Sequence, residues 1–270
     1  MFRANIGVDN GKIVNISNET QNSNSQIDAS DLLIFPGFVD MHVHFIDYEP
    51  AGRHDEDFSS GTMAAASGGV TTVGVMPGDD RPVRNLRDLE REKKSAAKTA
   101  FVDYAMYGAA GTQNLERITQ LRQGGIIGYK TFMTTRIAYS AGDDAALLQV
   151  LEKIAATGLK SAIHAEVGSL VDLLVRRLKG KGESKPEAHL NSRPNFVESL
   201  AIQRVVDLAH ESRDAVGRIE TEIGVHLSRA VGTGGGLPAA AVNGLETGFD
   251  LLHCLDSIHR AERRNVIVTV

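Results

Sequence analysis

The chain has 270 residues, 42% of them hydrophobic and 23% charged, which is ordinary for a globular protein and excludes global disorder. Twenty-nine Lys and Arg against thirty-four Asp and Glu give a formal charge of -5, so no basic surplus points to nucleic acid or an anionic membrane. Cys254 is the only cysteine, no apolar run reaches the roughly 18 residues of a membrane span, and Met1 to Gly11 has no signal-peptide core, so a reducing, cytoplasmic setting is expected.

Two short extended runs flank Asn10-Gly11 within residues 3–17, and this dipeptide suits a tight type I′ hairpin because both residues accept positive φ. Thr20 to Ser30 is polar and reads as a linker. A small β-layer, residues 1–33, therefore precedes the main domain, residues 34–270. From Phe35 onward strand-like runs alternate with helical patterns. The expected strands are Ile34–Phe45, Val70–Met76, Ala100–Tyr107, Ile126–Met133, Leu159–Ala165, Ile223–Leu227 and Val266–Val270. Leu147, Leu148, Val150, Leu151 and Ile154 recur at helical spacing before Gly158, and Val197, Leu200, Ala201, Val205 and Leu208 do so after Pro194. Strand, helix, strand, repeated, gives a parallel sheet with right-handed crossovers. Seven such strands predict an α/β fold, an incomplete (β/α)8 TIM barrel. Arg229 to Phe249, rich in Gly and Ala, breaks the rhythm as a lid or insertion.

In such a barrel, chemistry sits at the C-terminal ends of the strands. Strand period puts Asp40, His42 and His44 on one face of the first strand, two imidazoles placed to share a cation. A lone His-x-His pair is expected by chance roughly 0.3 times in such a chain, so the neighbouring strands decide its meaning. Lys130, in Gly128-Tyr129-Lys130-Thr131-Phe132, shares a face with Ile126 and Phe132 and points inward. A buried ammonium loses its proton readily and the free amine can form a carbamate; the alternative is a lysine that snorkels to the rim. His164 closes the fifth strand, with a core histidine as the alternative. His226 closes the sixth, and its rival His253 lies in a helix-like run with Leu251, Leu252, Leu255 and Ile258. His54, His189, His210 and His259 read as surface residues.

Pro36-Gly37-Phe38-Val39-Asp40-Met41-His42-Val43-His44, then Ser60 to Val73, Met76-Pro77, Gly128-Tyr129-Lys130, His164-Ala165-Glu166 and Ser192-Arg193-Pro194, occur in the order seen in cyclic amidohydrolases. The chain resembles the allantoinase, hydantoinase (dihydropyrimidinase) and dihydroorotase group. This resemblance implies two divalent metal ions, usually zinc. His42 and His44 would hold the first, His164 and His226 the second, and carboxylated Lys130 would bridge them. A water activated between the ions would attack the ring amide carbon, and Asp40 would orient one of the imidazoles from behind. A homo-oligomer and a small cyclic amide or ureide substrate are implied as well.

The family carries a further Asp at the end of its eighth barrel strand, as metal ligand and proton shuttle, and this position falls beyond Val270. Expected catalytic residues are thus none within the chain, and the fragment alone is expected to be inactive. A non-catalytic paralogue that assembles with full-length subunits is the alternative. Ile46 stands where dihydroorotases place a substrate-binding Arg, Gly78 where they place Asn, and Thr135 where hydantoinases place Tyr, which favours an allantoinase-like or broader hydantoin-like hydrolase.

Overall fold

The computed structural model describes residues 3–30, 32–45, 56–78, 81–134 and 139–212, and the backbone of 216–220. The expected strands Ile223–Leu227 and Val266–Val270, the Gly-rich stretch 229–249, and His226 and His253 lie outside the described residues. The chain divides into two units, Met1–Pro36 and Gly37–Val270.

In the first unit β1 (Asn5–Asp9) pairs antiparallel with β2 (Lys12–Ser17), Asp9 opposite Lys12. The turn has φ of 49° at Asn10 and 73° at Gly11, the two positive values that a type I′ hairpin requires. Residues 20–30 form neither helix nor strand, as their polar composition predicts.

The second unit is built on one parallel sheet in the order β3 (Phe38–Val43), β4 (Val70–Val75), β5 (Asp103–Ala109), β6 (Gly128–Phe132), β7 (Ser161–His164) and β8 (Val216–Glu220). The first five fall inside the expected segments or overlap them. The sixth does not: β8 pairs with β7 from Val216 to Glu220, upstream of the run expected to form it. Among the described residues β3 and β8 are the two edges of the sheet.

The crossovers are α1 (Phe58–Ser67), α2 (Leu86–Thr99), α3 (Ile118–Gln123), α4 (Asp144–Ala155), α5 (Gly168–Gly180), α6 (Glu187–Asn191) and α7 (Asn195–Glu211). Local sequence starts several of them. Asp57, Asn85 and Asp143 each accept a backbone N–H three residues on, from Ser60, Asp88 and Ala146 at 2.7, 3.0 and 2.8 Å. Helix α4 follows the predicted spacing and buries Leu147, Val150, Leu151 and Ile154. Helix α2, by contrast, is so polar that only Leu89 and Ala96 are buried on it. Among the described residues no helix is long and apolar enough to cross a membrane.

Alternation along the strands gives the sheet two unlike faces. Val43, Val73, Val75, Met106, Tyr129 and Ile163 pack with Leu89, Leu121, Leu147, Leu151, Ile154 and Val205 of the helices into the main core. Ile126 joins that core, because it precedes β6; it does not share the face of Lys130 as strand period predicted. The opposite face carries His42, Lys130, Phe132, Ala162 and His164, whereas Asp40, expected to share the face of His42, is in register with Val73 of the core face because β3 is irregular between Asp40 and Val43. The opposite face has a small apolar cluster of its own, Ala109, Phe132 and Tyr139.

Strand β3, which delivers the two histidines, lies very close to β4. A Cβ on Gly74 would sit 2.9 Å from the carbonyl oxygen and 3.0 Å from the Cα of Met41, both backbone atoms. Gly74→Ala is therefore expected to destabilise the second unit by about 1–3 kcal/mol. A lower urea midpoint with an unchanged slope checks this; an unaltered midpoint contradicts it.

Candidate metal centre

At the end of β3 the imidazoles of His42 and His44 face each other, Nε2 to Nε2, at 3.1 Å. Two nitrogens on one tetrahedral zinc lie about 3.3 Å apart, given Zn–N bonds of about 2.0–2.1 Å. The pair is thus spaced to share one cation. Asp40 Oδ1 accepts the backbone N–H of His42 at 3.0 Å and so fixes the strand end, while its bond is to the main chain and not to an imidazole. Burial, then the positive charge of His42 and of Lys130, lowers the pKa of His44 to about 4. A neutral ring is the form that ligates a metal.

Lys130 is 1% exposed, so it does not snorkel to the rim. Its Nζ lies 4.9 Å from the centroid of the Phe132 ring, a cation–π contact that offsets part of the cost of burying the charge. Phe132 stands opposite His164 in the β6–β7 register and stacks on its imidazole, centroids 5.0 Å apart and planes at 27°. Tyr139 closes the other side of Phe132 edge-on at 5.4 Å and donates its hydroxyl to Pro77 O at 3.1 Å. One aromatic ring therefore ties Lys130 to His164, and the Met76-Pro77 turn is tied in through Tyr139.

Two residues past His164, the side chain of Glu166 is almost wholly buried. Its Oε2 lies 2.8 Å from His164 Nε2 and its Oε1 lies 2.9 Å from Arg193 Nε. The second contact is an ion pair without an aligned hydrogen bond. Burial pushes the Glu166 carboxyl up, but the His164 hydrogen bond and the charges of His164, Arg193 and His189 together outweigh it and hold the group below the usual carboxylate range.

The described residues thus hold a His42–His44 pair and a His164–Glu166 pair, with Lys130 and Phe132 on the same sheet face. No three His, Cys, Asp or Glu side chains among them gather around one point. A lysine carbamate and His226 are the expected further ligands; the first lies outside that set of residue types and the second outside the described residues. The donors present fit a divalent cation: imidazole nitrogens, a buried amine, and a carboxylate against one ring. Sequence spacing pointed to His42, His44, Lys130 and His164, but gave no role to Phe132, Tyr139, Glu166 or Arg193. His210 is exposed as expected, and His189, also exposed, touches the Arg193 guanidinium at 3.3 Å.

A parallel sheet with its crossover helices on one face and these polar groups on the other is part of a TIM barrel, and known proteins agree. The pattern of the Amidohydrolase family matches residues 33–260, so the chain belongs to that family. It is 33% identical over 213 residues to the L-hydantoinase of Paenarthrobacter aurescens, a match covering 77% of this chain and 46% of that protein. Its identity to the allantoinase of Rubrobacter xylanophilus is 35% over 213 residues, covering 77% and 46%. Among solved structures it is similar to the L-hydantoinase (dihydropyrimidinase) from Arthrobacter aurescens, with a TM-score of 0.71, 32% identity, and coverage of 81% of this chain and 48% of that one. The chain spans about half the length of the curated relatives it matches.

His44 gives the metal-free protein a pH dependence of definite sign. Its folded value of about 4 lies below the ordinary 6.5, so between the two the unfolded chain binds more protons at this position. Stability therefore rises with pH across that window and gains nothing more from this group above it. Thermal unfolding from pH 4 to 7 is expected to show the rise, and a His44→Asn variant a shallower one. Titration of the His44 ring near its ordinary value, followed by NMR, contradicts the assignment.

Proposed function

We propose that the chain carries the metal-holding part of a hydrolase that opens a cyclic amide or ureide at a ring C–N bond. The observation that carries this reading is the 3.1 Å approach of His42 Nε2 and His44 Nε2 on the sheet face that also buries Lys130 and displays His164. His42 and His44 would hold one divalent cation, His164 and His226 a second, and Lys130, as its carbamate, would bridge them. When bound, such a pair supplies Lewis-acid polarisation of the ring carbonyl and a lowered pKa for the attacking water.

The chain's own residues do the rest. Strand register fixes Lys130 and His164 on adjoining strands, Lys130 opposite Ala162 and His164 opposite Phe132, so the two side chains project from one face. Phe132 sets an apolar ring against both, stacked on His164 and 4.9 Å from Lys130 Nζ, and Tyr139 packs on that ring. Desolvation and the charges of His42 and Lys130 lower the His44 pKa, which favours the neutral ring that ligates a metal. Zinc is the favoured metal because imidazole nitrogen suits it. The substrate class follows from the relatives' names, hydantoinase and allantoinase, and a five-membered ureide ring is the leading candidate.

Metal analysis after growth with zinc and bicarbonate tests the reading. The chain is expected to hold about two equivalents, and Lys130→Ala to lose them while remaining folded by circular dichroism. In a full-length protein reconstructed around this chain, ring opening of hydantoin, allantoin or dihydrouracil is expected to vanish with chelation and return with zinc. A chain that binds no metal, or a Lys130→Ala variant that keeps both ions, contradicts it.

A further inference from the structure

The Ser192-Arg193-Pro194 motif takes no part in holding metal, yet its arginine reaches the site. Arg193 lies in the turn between α6 and α7 and is fixed there. Its Nη1 donates to Ser192 Oγ at 2.9 Å and to His189 O at 3.4 Å. That leaves Nε against Glu166 Oε1 at 2.9 Å, while the other oxygen of the same carboxylate meets His164 Nε2 at 2.8 Å. The carboxylate is 2% exposed, so water does not compete for it. Position 166 is thus clamped at both oxygens, one by a guanidinium and one by an imidazole.

A carboxylate paired with Arg only accepts hydrogen bonds, so the imidazole nitrogen 2.8 Å away must be the one that carries hydrogen. The opposite tautomer would set a nitrogen lone pair against carboxylate oxygen in a buried site, losing a bond and adding repulsion. With hydrogen on Nε2, the neutral ring has its lone pair on Nδ1. The aromatic stack of Phe132 against the same ring restrains its orientation with Nε2 toward Glu166.

We propose that Arg193 and Glu166 are positioning residues: through the Arg193–Glu166–His164 chain of contacts they hold His164 in the tautomer that offers Nδ1 to a cation. The inference rests on the metal-centre reading above, and it adds which residues fix the His164 ring.

Long-range 1H–15N NMR of the metal-free 270-residue chain, labelled at histidine and compared with His164→Asn to assign the signals, reads the tautomer directly. Wild type is expected to carry hydrogen on His164 Nε2 at pH 8. Glu166→Gln, whose amide can donate as well as accept, is expected to give a mixture of tautomers and about 10- to 100-fold weaker zinc binding. Arg193→Ala is expected to resemble it, and Arg193→Lys to recover much of the wild-type pattern. Hydrogen on Nδ1 in the wild type overturns the proposal without needing any variant to fold. So does a folded Glu166→Gln chain with unchanged tautomer and zinc affinity. Nε2–H in a chain that binds no zinc supports the contact chain and removes the metal-centre reading. Two bound zinc ions with Nδ1–H in the metal-free form do the reverse.

Discussion

Burying the Lys130 side chain at the middle of a parallel strand is the constraint around which the proposed site is arranged. Carrying an ammonium out of water costs several kcal/mol unless it is paired or changes state. Residue 130 is 1% exposed, and its Nζ meets the face of Phe132. A lysine buried on a strand breaks the usual pattern of polar residues outside, and such departures mark functional sites. In the function proposed above, carbamate formation would turn the Lys130 amine into an anionic oxygen donor that two cations would neutralise.

The sheet makes this arrangement possible by separating its faces. Helix-side residues such as Val73, Met106, Tyr129 and Ile163 form the main core with the crossover helices. The other face is then free to carry imidazoles and a lysine without weakening that core. The close passage of Gly74 against the Met41 backbone brings β3 and β4 together, and Asp40 holds the end of β3 by its bond to the His42 amide. In the proposed site the strands would place the donors, and the turns beyond them, with Glu166 and the Arg193 loop, would set how His164 is aimed.

Much of this was legible in the sequence because period-2 alternation is a strong signal where one face is buried. It located β3, β4, β6 and β7, and with them His42, His44, Lys130 and His164. It failed where the segment was short or mixed. Val216-Gly217-Arg218-Ile219-Glu220 holds a glycine and two charges in five residues, so β8 did not stand out against the more apolar run that follows. Ile126 was counted on the Lys130 face because strand period was extended past the true start of β6. The Arg193–Glu166 ion pair was invisible for a different reason: it joins residues far apart in the chain, brought together by the α6–α7 turn, and spacing says nothing about such contacts. Phe132 was seen only as an apolar neighbour, although its ring contacts both Lys130 and His164.

Anomalous diffraction from crystals of the chain grown with zinc and bicarbonate tests the central claim most directly. Two zinc peaks about 3.5–4 Å apart are expected, one at His42 and His44 and the other at His164 Nδ1, with density for a carbamate on Lys130 between them. A single ion remote from these imidazoles, or an unmodified Lys130 pointing away from both peaks, would contradict it.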